Sequence, residues 1–250
     1  MWPDRCRTGR YALILACALT LGACATTAEK NEKTDTYLQL GVRYMNMNRL
    51  EIAKENLEKA LNNDSGNVKV HNALAFLYEK IEKYPIAKEH YETALKLAPE
   101  DLGVLNNYGR FLCEHGDPVQ GMGLLAKAIA NLLNDRQWLA LTNAGICELK
   151  QGQKSRAKAF FKQALLSNPE YAPALLEMQI ISYQNREYWP AKAYLQRYLG
   201  TAQHTSQSLW YGMQTERALG NNGLAQEYKN LLLERFPFSD EAKKVESTQQ

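Results

Sequence analysis

The sequence predicts an all-α solenoid built from six helix–turn–helix repeats. Three observations carry that prediction. Small side chains and the large ones that face them return about every 34 residues, as at Gly41, Ala75 and Gly109. A polar or helix-breaking turn interrupts each period near its middle. Proline recurs where a second helix has to stop, at Pro99, Pro169 and Pro237.

The first repeat, 34–67, places Tyr37, Leu40, Gly41, Tyr44, Ala53, Leu57 and Ala60 on the pattern. The second, 68–101, places Leu74, Ala75, Tyr78, Ala87, Tyr91, Ala94 and Pro99. The third, 102–137, keeps Tyr108, Gly109, Leu112, Leu125 and Ala128, with Gly121 in place of the usual alanine. Gly121 and Gly123 weaken its second helix by about 1 kcal/mol each relative to alanine. The fourth, 138–171, starts two residues late and keeps Ala144, Gly145, Ala157, Phe161, Ala164 and Pro169. The fifth, 172–205, is looser: Ala191 and Leu195 fit, while Gln179 and Tyr198 replace small residues. The sixth, 206–239, retains Ala225, Leu232 and Pro237. Turns fall at Asn46–Arg49, Glu82–Pro85, His115–Pro118, Gln151–Gln153, Asn185–Glu187 and Gly220–Gly223. Residues 240–250 read as a C-terminal extension of the last helix that solvates it and frays. The small residues sit where two helices approach closely and the large ones fill the space beside them. This pattern is similar to the tetratricopeptide repeat, and the resemblance implies a superhelical solenoid in which each repeat buries its apolar face on its neighbours.

The amino terminus reads as a processing signal. Arg5, Arg7 and Arg10 precede an uncharged apolar run from Tyr11 to Leu21. That run is too short for a bilayer core, which needs roughly 20 residues, and suits a signal-peptide core. Leu21-Gly22-Ala23-Cys24 then resembles the bacterial lipobox. The resemblance implies cleavage after residue 23 and acylation of Cys24, with residues 24–33 as a lipidated, flexible tether. Ala25 stands where aspartate signals inner-membrane retention, so the resemblance implies outer-membrane anchoring facing the periplasm. The whole chain has a net charge of +3; residues 1–23 hold three arginines and one aspartate, which leaves +1 without them. No basic stripe is left to argue for nucleic acid.

Five cysteines become three after that cleavage: Cys24, Cys113 and Cys147. Cys113 and Cys147 fall on the first helices of repeats three and four. Packed helix axes lie about 8–10 Å apart, which brings facing Cα atoms to roughly 4–6 Å, inside disulfide range. The predicted bridge would lock the junction that carries the two-residue insertion. The alternative is a pair of buried thiols acting as small apolar residues.

Catalytic and metal signatures are missing from the sequence. The four histidines, His71, His90, His115 and His204, show no helical metal spacing and no HExxH. Cys113, His115 and Cys147 make only a partial zinc shell, without a fourth ligand. No P-loop, GxGxxG or GxSxG occurs. The sequence is therefore expected to be non-enzymatic, with no cofactor, no metal and no small-molecule substrate.

Longer stretches point to one family. NNYGRFLCEHG (Asn106 to Gly116), NAGICELKQG (Asn143 to Gly152), ALLEM (Ala174 to Met178), LQRYL (Leu195 to Leu199) and LLERFPFSDEA (Leu232 to Ala242) resemble the type IV pilus biogenesis lipoproteins of the PilF/PilW family, the pilotins. The resemblance implies an outer-membrane lipoprotein that binds the pilus secretin and promotes its localisation and multimerisation. A lipoprotein adaptor for another envelope complex, such as cell-wall enzymes, is the alternative.

In such arrays the first helix of each repeat faces a concave wall. By the repeat's pattern that wall takes Leu38, Val42, Met45 and Asn46, then Lys69, Asn72, Phe76 and Glu79, then Asn106, Arg110 and Glu114. Later repeats contribute Leu139, Thr142, Ile146 and Leu149, then Leu176, Ile180 and Tyr183, then Trp210, Gln214 and Arg217. Val42, Phe76 and Arg110 occupy positions where chaperone-binding relatives carry a carboxylate clamp, so a co-chaperone role is disfavoured. An extended or helical apolar segment of the secretin is the expected guest, with the first repeat its main seat.

Overall fold

The computed structural model describes residues 30–247, and among them every regular element is an α-helix. The signal segment 1–23, Cys24 and tether residues 25–29 lie outside the described residues. Contacts divide the chain into two compact units, one ending at Asn107 and one beginning at Tyr108.

The first unit opens with α1, residues 30–46. Its start differs from the sequence reading, which gives residues 30–33 to the tether. Those residues include the good helix formers Lys30, Glu32 and Lys33. Thr34 is buried and its hydroxyl donates to the Lys30 carbonyl at 2.9 Å, so the first turn is tied to the second. Next come α2 (Leu50–Asn63), α3 (Val68–Lys80), α4 (Tyr84–Leu97) and the first part of α5 (Leu102–His115). Leu57, Leu74, Leu77, Val70 and Met45 form the core of this unit. The small residue of the repeat sits against the large one sixteen later: a Cβ on Gly41 would lie 2.5 Å from Leu57 Cγ. Only glycine admits that approach without displacing the leucine.

The second unit continues α5 and adds α6 (Pro118–Ala130), α7 (Gln137–Lys150), α8 (Lys154–Ser167), α9 (Ala172–Gln184), α10 (Tyr188–Leu199), α11 (Ser206–Ala218), α12 (Asn222–Arg235) and α13 (Asp240–Ser247). Helices pair within repeats, α7 with α8, α9 with α10 and α11 with α12, and the pairs stack on one another in turn. The core runs through Phe161, Leu175, Met178, Ile181, Leu195 and Tyr198.

The turns report the period directly. Left-handed backbone occurs at Asn48, Glu82, Gly152, Arg186 and Gly220, with φ of 57°, 59°, 74°, 60° and 81°. Successive positions differ by one repeat, except across repeat three and its insertion. There the turn is built differently, with Asp117 accepting from the Val119 and Gln120 amides at 2.9 and 3.3 Å and Pro118 opening the helix. Despite its glycines, α6 is a full helix of 13 residues.

The carboxyl end corrects the sequence reading. Residues 240–247 are a separate helix, not a solvating extension of α12. Phe236 ends α12, Ser239 accepts from the Ala242 amide at 3.2 Å, and α13 turns back on α11 and α12. Ala242 and Val245 are buried with Leu209, Met213, Ala225 and Leu232. This short amphipathic helix covers part of the apolar face of α11 and α12.

Candidate partner-binding groove

A groove opens on the first unit between α1 and α3. Its larger part is a cavity of about 800 Å³ lined by Asp35, Leu38, Gln39, Val42, Arg43, Asn46, Met47 and Lys69. A smaller cavity of about 260 Å³ shares Leu38, Val42 and Lys69 and adds Met45, Asn72, Ala73, Phe76 and Asn107. The α1 residues 35, 38, 39, 42, 43 and 46 recur at three and four, which is one face of a helix. Positions 69, 72, 73 and 76 do the same on α3.

The groove is apolar along its length and polar at its margins. Leu38 and Phe76 are half-buried and Val42 is exposed. Lys80 lies 6.0 Å from the centre of the Phe76 ring. Three amides form a short chain: Asn106 Nδ2 donates to Asn107 Oδ1 at 3.2 Å, and Asn107 Nδ2 donates to Asn72 Oδ1 at 3.2 Å. Asn72 and Asn107 thus reach the wall with their orientation set. Arg43 and Lys69 outnumber Asp35 among the charged groups of the larger cavity.

Of the wall residues read from the sequence, the structure brings Leu38, Val42, Met45, Asn46, Lys69, Asn72 and Phe76 together. Met45 is only 4% exposed and belongs chiefly to the core, touching the smaller cavity from beneath. Asn106 lines neither cavity and donates to Asn107, which does. Arg110, on the second unit's part of α5, is held in an ion pair with Glu114 at 2.9 Å. Ile146 packs on the second unit's core, and Tyr183 sits 5.9 Å from Tyr188 and 5.5 Å from Tyr211, ring centre to ring centre. None of these four lines the groove. Thr142 and Ile180, also read as wall residues, are buried. Sequence reading misses Asp35, Gln39, Arg43, Met47 and Asn107, although the spacing along α1 contains the signal for the first three.

Cys113 and Cys147 are joined by a disulfide within the second unit, their Cα atoms 5.3 Å apart. The titrating groups displaced from their ordinary range owe it first to burial. His90 and His204 are lowered, while Glu177, Tyr78, Tyr171, Tyr183 and Tyr228 are raised. None of these groups lines the groove.

Comparison with known proteins agrees with this architecture. Tetratricopeptide repeat models match residues 34–67, 68–101 and 140–171. The chain is 30% identical over 241 residues to the type IV pilus assembly protein PilF of Pseudomonas aeruginosa, covering 93% of this chain and 96% of that protein. The solved structure of Pseudomonas aeruginosa PilF superposes with a TM-score of 0.76 at 29% identity, over 88% of this chain and 99% of that one. That of PilW, a type IV pilus biogenesis factor, gives 0.74 at 30% identity, over 85% and 97%. This chain belongs to the PilF/PilW family of tetratricopeptide-repeat proteins of type IV pilus biogenesis.

Proposed function

We propose that this protein is an outer-membrane lipoprotein scaffold, a pilotin, that binds the pilus secretin and promotes its localisation and multimerisation. The observation that carries the proposal is the groove of the first unit. It presents Leu38, Val42 and Phe76 as an apolar strip, with Asn72, Asn107, Arg43 and Lys69 beside it. Exposed contiguous apolar surface of this kind marks interaction sites. Acyl chains on Cys24 supply the membrane attachment in this reading, and at least two of them give stable anchoring.

Replacing Leu38, Val42 and Phe76 together with aspartate tests the binding surface. The variant is expected to keep its helical circular dichroism and to lose the secretin multimers that resist detergent in membrane extracts. A folded variant that supports normal multimers would overturn the assignment. Replacing Cys24 with serine tests the anchor, and is expected to release the protein from the outer-membrane fraction.

A further inference from the structure

The smaller cavity of the groove has a lining that specifies its guest. Leu38, Val42, Ala73 and Phe76 make it apolar, and Lys69 is the one charged group on it. Lys69 is exposed, and among the described residues it has no ion-pair partner. Asp35 lines the larger cavity together with Lys69, yet the two are not paired. The amides beside Lys69 are arranged to donate as well. Asn106 Nδ2 donates to Asn107 Oδ1, and Asn107 Nδ2 donates to Asn72 Oδ1, each at 3.2 Å. The chain ends at Asn72, whose carbonyl oxygen is engaged and whose Nδ2 keeps its N–H groups to give. Lys69 and Asn72 are three residues apart on α3, neighbours on one helix face. An ammonium and an amide nitrogen can only donate, so this pair calls for an acceptor, and a charged one binds it best.

We infer that the groove selects a segment carrying an aspartate or glutamate side chain between apolar residues, its carboxylate received by Lys69 and Asn72. The inference rests on the reading of this groove as the secretin-binding surface, and it adds which segments can dock there. A guest that is apolar throughout would cover the Lys69 ammonium, strip its water and return no bond, a cost that turns such segments away. A guest with a carboxylate at that point replaces the lost water with a charge-assisted hydrogen bond. The lining points to a side chain within the segment rather than to a chain terminus. Leu38, Val42 and Lys69 are common to both cavities, while Phe76 belongs only to the smaller and Met47 only to the larger. Apolar wall therefore continues on both sides of Lys69, and a segment that ended there would leave one side uncovered. Arg43, in the larger cavity, adds a second positive charge that favours the approach of acidic segments.

The test uses overlapping peptides that cover the secretin of the same organism, with binding to the purified full chain read by fluorescence anisotropy. The tightest peptides are expected to hold an aspartate or glutamate between apolar residues. Exchanging that residue for asparagine or glutamine is expected to weaken binding about tenfold. Lys69→Gln should cause a similar loss with the acidic peptide and little further loss with its amide counterpart, because the two changes remove one interaction. Lys69→Glu should bind better to the peptide whose acid is replaced by lysine than to the acidic one. Lys69 is exposed, so these variants are expected to keep the parent's circular dichroism. Leu38→Ala and Phe76→Ala should weaken both the acidic and the amide peptide. Peptides that depend on Leu38 and Phe76 but bind equally well with acid or amide would overturn this inference and leave the groove as the docking surface. Binding indifferent to Leu38 and Phe76, or no peptide bound at all, would overturn both.

Discussion

Gly121 and Cys113 approach so closely that a β-carbon at position 121 would lie 2.9 Å from the Cys113 sulfur. The same carbon would meet the Gly109 carbonyl oxygen at 2.7 Å and the Cys113 amide nitrogen at 3.0 Å. Two of those neighbours are backbone, so the clash cannot be relieved by a side-chain rotation. Glycine at this position lets α6 lie against the disulfide-bearing stretch of α5. Gly121→Ala is expected to lower stability by about 1–3 kcal/mol through overpacking, despite the better helix propensity of alanine. A β-carbon at position 123 would instead meet nothing within 4 Å. Gly123→Ala is therefore expected to raise stability by up to about 1 kcal/mol. Urea unfolding of the two variants checks both signs.

The Cys113–Cys147 bridge closes a loop with a sequence separation of 34. Chain-entropy arguments give about 3–4 kcal/mol for a loop of that length. The double variant Cys113→Ala/Cys147→Ala is expected to lose stability of that order relative to the oxidised protein. Denatured, non-reduced protein purified from its native compartment is expected to show neither of these cysteines as a reactive thiol.

Core and groove separate along a single face of α1. Val42 is 37% exposed, Met45 only 4%. Val42→Asp is expected to change stability by less than about 1 kcal/mol. Met45→Asp puts an unpaired charge into the core and is expected to abolish the cooperative thermal transition. The contrast, read by circular dichroism, tells a binding defect from a folding defect.

Acid is expected to destabilise the first unit through His90. Burial, then the neighbouring His71, lowers this group from 6.5 to about 4. Between those values the unfolded chain takes up a proton that the folded chain refuses. Stability contributed at His90 is therefore complete above about 6.5 and declines as the pH falls toward 4. The groups around the ring are His71, Tyr78 and, through the Tyr78 hydroxyl, Glu58. His204 is lowered as well, by burial and by Arg235, and acts in the same direction. Melting temperatures measured from pH 7 to 4.5 are expected to fall for the parent and to fall less for His90→Gln.

What the sequence makes legible, and what it does not, follows from how local each feature is. The repeat is written into each 34-residue segment, because the small residue and the large one it receives lie on two helices joined by a short turn. Gly41 with Leu57 and Gly145 with Phe161 are such pairs. The groove is legible where it depends on a single helix face, as at Leu38 and Val42. It is not where neighbouring helices decide exposure: Met45 and Thr142 satisfy the same positional rule and are buried. Gly121 reads as a weakness because helix propensity is a local property, whereas its reason is the backbone of α5. The His71–His90 pair is invisible for the same cause, since its members lie on two antiparallel helices and meet only once the hairpin closes. The end of the chain misleads because its charge suggests solvation, while Ala242 and Val245 suffice to seat a helix.

Ion pairs in the second unit divide by burial, and their replacement should divide likewise. Glu216 is 2% exposed and receives Lys192 at 2.9 Å. Asn221 donates to the same carboxylate at 2.6 Å. Lys192→Met removes the only cation that these contacts give Glu216 and leaves a buried carboxylate resting on one amide. A loss of about 3–5 kcal/mol is expected, because a desolvated charge without its partner has no compensation. Lys158 and Glu187 are joined at 2.6 Å, but Glu187 is 40% exposed. Water can take over there, and Lys158→Met is expected to cost less than about 1 kcal/mol. Adding Glu216→Gln to Lys192→Met should restore part of the first loss, since the amide needs no counter-charge. Urea midpoints of the three variants decide it, and equal losses for Lys192→Met and Lys158→Met would show that burial of the carboxylate is not what sets the cost.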